Sequence, residues 1–178
     1  MKKIKIKTTH KSSFFDTKEK IIKALIAAGV IVLIVAVLML VEIFNGKLII
    51  KNNTDLNLEY VNSSFVTSYE DADAIELKKV DDINANKKYV TEYDEVNLKY
   101  TDSNLDIRFK FENHDELFVD AGLFNDKLTG NVTITFKQTK DPNIVKLMVK
   151  ARNGLLPSNT INCNDEFTID LNKNEIID

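Results

Sequence analysis

Few side chains in this sequence can do covalent chemistry. There is one cysteine, Cys163, and only two histidines. A cysteine and a histidine make a nucleophilic pair when the imidazole takes the thiol proton and a positive group steadies the acyl oxygen. His114 precedes Cys163, but Arg108 and Arg152 both lie upstream and no arginine follows. A reactive thiolate needs a specific electropositive setting, and an inert thiol flanking the last strand is the simpler expectation. Two acidic clusters, Glu70–Asp73 and Glu92–Glu95, carry the oxygen ligands that a multi-loop Ca²⁺ site uses. Solvated acids on an acidic domain explain them more economically. Asp170-Leu171-Asn172-Lys173-Asn174 starts like an EF-hand loop, yet Glu175 stands where that loop needs glycine. So little histidine and cysteine argues against zinc. No glycine-rich phosphate loop or serine-nucleophile elbow is present. The sequence therefore assigns no catalytic residue, no metal and no cofactor.

The element that positions everything else is Ala24–Val41, a continuous apolar run without one polar side chain. As a helix it spans roughly 27 Å, and with its flanks over residues 21–44 roughly 36 Å, bracketing the ~30 Å hydrocarbon core of a bilayer. Only a helix satisfies its own backbone there, so the Val and Ile content does not argue for a strand. Within it Ala24, Ala28 and Gly29 form a small-residue patch, a weak form of the small-xxx-small packing motif, and Val41 closes the run. Residues 1–23 hold eight lysines against Asp16 and Glu19, net +6. The whole chain is −3, which leaves −9 for residues 24–178. This asymmetry predicts a short basic cytoplasmic tail at 1–20, a transmembrane helix at 21–44 and the remainder outside the cell membrane. Val41-Glu42-Ile43-Phe44-Asn45-Gly46 offers no small-x-small cleavage site, so the expectation is an uncleaved signal anchor. Abundant Lys, Asn and Ile without Trp fits an AT-rich bacterial genome.

After Gly46 the hydrophobic period changes from continuous to two. Residues 45–52 read as a juxtamembrane linker running into a first strand, and 47–178 as one extracytoplasmic all-β domain. Leu48 and Ile50, Leu56 to Tyr60, Ile75 and Leu77, Tyr89 to Tyr93, Leu105 to Phe111, Val132 to Phe136, Val145 to Val149 and Phe167 to Leu171 each alternate with polar residues. Turn chemistry separates them at Asn52–Asp55, Asn113–Asp115, Asp141–Asn143 and Gly154–Pro157. Residues 120–130 read as a longer loop with two glycines. About eight mainly antiparallel strands predict an immunoglobulin-like β-sandwich, with an open barrel as the alternative. A lone cysteine forms no internal disulfide, so this domain must rest on its hydrophobic core.

The layout resembles immunoglobulin-like modules of bacterial cell surfaces. An N-terminal anchor followed by one β domain with a single cysteine also resembles the sortase transpeptidases. That resemblance implies a Cys163 thiolate attacking a threonyl carbonyl, His114 in acid–base chemistry and an arginine at the oxyanion. The order His114 then Cys163 fits the family; the arginine position is unfilled. The expected function is a non-enzymatic binding or assembly module held at the cell membrane. The alternatives are the sortase-like enzyme and a sensor subunit signalling through the helix to a separate cytosolic partner. Expected partners are the bilayer through residues 21–44 and a protein of the cell envelope, with a homo-oligomer compatible with the sequence. An acidic exterior disfavours nucleic acid.

Overall fold

The computed structural model describes residues 14–44, 46–67, 74–153 and 158–177, the side chains of 14–17 and 39–44 excepted. Glu70–Asp73 and Gly154–Pro157, together with the tail before residue 14, lie outside the described residues. The chain divides into two compact units, Met1–Leu38 and Met39–Asp178.

The helix α1 runs Phe14–Phe44, longer at its start than the apolar run. Glu19 meets Lys23 at 2.7 Å, the favourable acid-before-base order at i,i+4. Lys18–Leu38 is long and apolar enough to cross a bilayer, and none of it is buried against protein. Ile21, Leu25, Val32 and Leu33 are each more than half exposed. Ala24 and Ala28 are likewise exposed, and nothing approaches Gly29. Val41 is helical, with its side chain outside the described residues.

Among the described residues, twelve strands follow: β1 (Gly46–Asn53), β2 (Leu58–Val66), β3 (Ile75–Ile83), β4 (Lys87–Tyr93), β5 (Val96–Asn97), β6 (Ser103–Phe111), β7 (Glu116–Phe124), β8 (Lys127–Leu128), β9 (Asn131–Gln138), β10 (Ile144–Arg152), β11 (Ile161–Asp170) and β12 (Glu175–Ile177). The eight strands expected from alternation are all present; β5, β7, β8 and β12 are additional. The protein is all-β with one N-terminal apolar helix. One sheet takes the order β3-β2-β6-β7-β11-β10-β9-β1-β4, with β12 added to β11 and β5-β8 as a separate ribbon. It curls until β3 and β4, its two ends, are neighbours, so it is nearly closed like a barrel. The open-barrel alternative describes this order, and nothing in it is specific to an immunoglobulin-like sandwich. All pairings are antiparallel except β1 with β9.

The core lies inside the curl. Leu48 and Ile50 of β1, the Leu105-Ile107-Phe109-Phe111 face of β6, Ile134 and Phe136 of β9 and Val145, Leu147 and Val149 of β10 are fully or almost fully buried. Phe109, Phe111 and Phe136 meet edge to face at 5.1–6.1 Å, the geometry that ring quadrupoles favour. Asn52 ties one end together. Its amide donates to the Leu56 carbonyl at 2.8 Å and the Asn84 carbonyl at 3.2 Å, while its oxygen accepts the Thr54 hydroxyl at 2.7 Å. The β1–β2 and β3–β4 turns are thereby joined by one buried side chain.

Residues 120–130 are not one loop: 120–124 finish β7 and 127–128 form β8. Alternation fails in β7 because Leu117, Phe118 and Val119 are consecutive and apolar, with Phe118 outward and 55% exposed. In β2 a register shift between Leu58 and Tyr60 moves Tyr60 to the wet face and turns Val61, Ser63 and Phe65 inward.

Candidate functional site

Cys163 and His114 are not brought together. His114 sits in the turn before β7, its amide donating to the Phe111 carbonyl at 3.1 Å. Cys163 faces the core from β11 and packs against Gly122, six residues past the start of β7. At ~3.3 Å rise per residue, that puts Cys163 about 20 Å along β7 from the end where His114 lies. Burial first, and the Asp165 charge second, push the Cys163 thiol up to about 12. The thiol points at the Val149 carbonyl, 3.7 Å away. Arg108 is on β6 and Arg152 ends β10. Glu92 lies on β4, while Asp94 and Glu95 follow it, and Glu95 pairs with Lys127 at 2.6 Å. Among the described residues no three His, Cys, Asp or Glu side chains gather as a metal site would need.

What the structure does bring together is charge, and it divides by face. On the wet face of β2, β6 and β7 the charges are matched. Arg108 bonds Asp106 at 3.1 Å, reaches Glu116 at 3.7 Å and stacks over Phe118. Lys110 pairs with Glu59 at 2.7 Å, and Tyr60 donates its hydroxyl to Glu116. That bond, more than burial, pushes Tyr60 up to about 12.

The wet face of β4, β1, β9, β10 and β11 is different. The strand period and register place Lys88 on β4, Lys47 and Lys51 on β1, Lys137 on β9, and Lys146, Lys150 and Arg152 on β10. Among the described residues of these strands the same period gives three acids, Glu92, Glu166 and Asp170; Glu92 stands across from Lys47, and Asp170 is held by Lys173 at 3.7 Å. Lys146 binds Glu166; among the described residues the other six cations make no ion pair. That hydrogen bond, and then the charges of Lys146, Lys137 and Lys150, hold the Glu166 carboxyl below its usual range. Two lysine pairs are directly opposed across strands, Lys51 with Lys88 and Lys137 with Lys146, an arrangement that costs stability. Between the lysines of β1 and β10 lie the short side chains of β9, Asn131, Thr133 and Thr135. A depression of about 570 Å³ opens on this face, with Lys51, Lys150 and Arg152 at its edges and Asn131, Thr133, Asn162 and Asn164 among its lining. The chain's negative total hides this face, because alternation shows which residues share a side of a strand but not which strands are neighbours.

A second feature is the seam where the barrel fails to close. Among the described residues β3 pairs with β2 alone and β4 with β1 alone. Asn84–Asn86 join these strands, and at the far end they splay. Ile75–Lys78 on one side and Glu92–Val96 on the other line a cleft of about 460 Å³. Leu77 and Tyr93 are buried at its base. Tyr93 donates its hydroxyl to the Gly130 carbonyl at 2.5 Å, and burial raises its pKa.

No family model, curated protein or solved structure matches this chain. The functional reading therefore stands on these surfaces.

Proposed function

We propose that this is a single-pass membrane protein with its basic tail in the cytoplasm and its β domain outside, acting as a non-enzymatic binding or assembly module. The apolar span of α1 and the charge step from +6 to −9 across it support the topology. The observation that carries the binding reading is the seam between β3 and β4. Two strand edges that each lack a second partner among the described residues face one cleft, and an edge with free N–H and C=O groups takes up another extended segment by strand addition. Glu92 and Asp94 on one lip, beside a Glu95 already paired with Lys127, favour a guest segment carrying basic residues. The edge is guarded against unselective pairing by the charges of β3, among them Glu76, Lys78 and Lys79. The partner of this reading is an extended stretch of another envelope protein.

Photo-crosslinking residues placed at Glu76 and Asp94 of the full chain, in native membranes, test it, with Asp120 on the wet face of β7 as control. Discrete adducts confined to the two seam positions are expected. Equal labelling at Asp120, or none at the seam, overturns the binding mode. The topology is tested separately by adding protease to wall-stripped cells. The β domain is expected to be cut, and its protection would overturn the orientation.

A further inference from the structure

We propose that the basic face of β1, β9 and β10 is a docking site for a linear polyol-phosphate chain, independent of the seam. Counting Lys88 of the adjoining β4, six of its seven cations make no ion pair among the described residues, where Lys146 binds Glu166, although residues 24–178 are −9 overall and hold acids enough to neutralise them. The opposite wet face shows that this chain does pair its charges elsewhere. Lysines set directly across from one another repel, and a polyanion running along this face would relieve that repulsion.

The shape selects the anion. Strands sit ~4.8 Å apart, so β1 and β10 flank β9 at about 10 Å; Lys47 and Arg152 face each other across Asn131, and Lys150 and Lys51 then stand on alternate sides of Thr133 and Thr135. Asn131, Thr133, Asn162 and Asn164 line the depression, offering hydroxyl and amide groups to the hydroxyls of a polyol. A bilayer surface is planar and would meet the lysine rims without entering the depression. Single-stranded nucleic acid is held by aromatic stacking, and no aromatic residue alternates onto this face among the described residues. Six of the seven cations are lysine, the compact point charge that suits phosphate, whereas planar carboxylates favour the arginine fork.

The test uses the full chain in nanodiscs of neutral phosphatidylcholine and a fluorescent glycerol-phosphate decamer. Binding is expected at ~50 mM salt. If four phosphates are engaged, affinity should fall about 50-fold on raising salt to ~200 mM, by counterion release. The double substitution Lys51→Gln, Lys150→Gln should weaken binding at least tenfold. Lys79→Gln, Lys110→Gln, with the same net charge change, should stay within twofold of the parent. A thermal melt of each variant separates loss of the site from loss of the fold. No binding, or equal weakening by both doubles, overturns the proposal. Tighter binding of an oligogalacturonate or of an oligothymidylate moves the site to a carboxylate polymer or to nucleic acid. A Lys51/Lys150-dependent attachment to phosphatidylglycerol vesicles without decamer binding assigns it to the lipid surface.

Discussion

Gly122 and Cys163 show how tightly single residues are set in this core. Gly122 has φ +66°, and a Cβ built on it would lie 2.5 Å from the Cys163 Cβ and 2.9 Å from its Sγ. Gly122→Ala therefore combines left-handed backbone strain with overpacking, and should cost about 2–4 kcal/mol in urea denaturation. Cys163→Ala should not rescue it, because the nearest atom is the Cβ that alanine keeps. Asp106 gives a pH prediction. Burial raises its pKa most, Arg108 opposes that shift, and Asp120 and Glu116 add to it. A carboxyl whose folded pKa is raised binds its proton more tightly when folded. It thus adds stability as pH falls through the raised value toward the unfolded one, and detracts above it. Asp106→Asn, which can still accept from Arg108, should be more stable than the parent at pH 7. That advantage should shrink as the pH drops toward ~4, as followed by thermal melts across the range.

At the scale of elements, the informative feature is register. The i,i+2 pattern of β1, β9 and β10 places each lysine on a wet side, and the pairing then sets Lys51 opposite Lys88 and Lys137 opposite Lys146. Lys88→Glu converts one repulsion into a cross-strand ion pair. It should stabilise the domain by about 0.5–1 kcal/mol at low salt, a gain that disappears in 1 M salt, where the Debye length is ~3 Å. The same variant should bind the glycerol-phosphate decamer more weakly, since stability and ligand binding place opposite demands on that position. β7 shows the reverse problem, in which a central strand is invisible to alternation. Phe118 stands outward because Arg108 covers it, a reason that lies on a neighbouring strand.

For the whole molecule, the division into compact units falls within α1, after Leu38. Among the described residues, every buried apolar side chain of the core belongs to residues 48–171, and the expectation is a domain that folds on that core. A chain beginning at Gly46 should remain folded and monodisperse without detergent, whereas the full chain should require detergent or lipid. Circular dichroism and size-exclusion chromatography of both chains check this; loss of the β spectrum in the shorter chain would show that the helix contributes to the core.

By itself, the sequence determined the apolar span, the all-β class and eight of the strands, because hydrophobic period is a local property and a bilayer or a sheet face reads it residue by residue. It also identified Cys163 and His114 as the sole candidates for thiol chemistry. Only the tertiary structure decided that these two lie apart, that β7 is a central strand, and that the sheet stops short of closing between β3 and β4. It alone gathered seven cations from β1, β4, β9 and β10 onto one face of an acidic chain. Strand order and parallel pairing join residues far apart in sequence, and net charge sums over faces that never share a ligand.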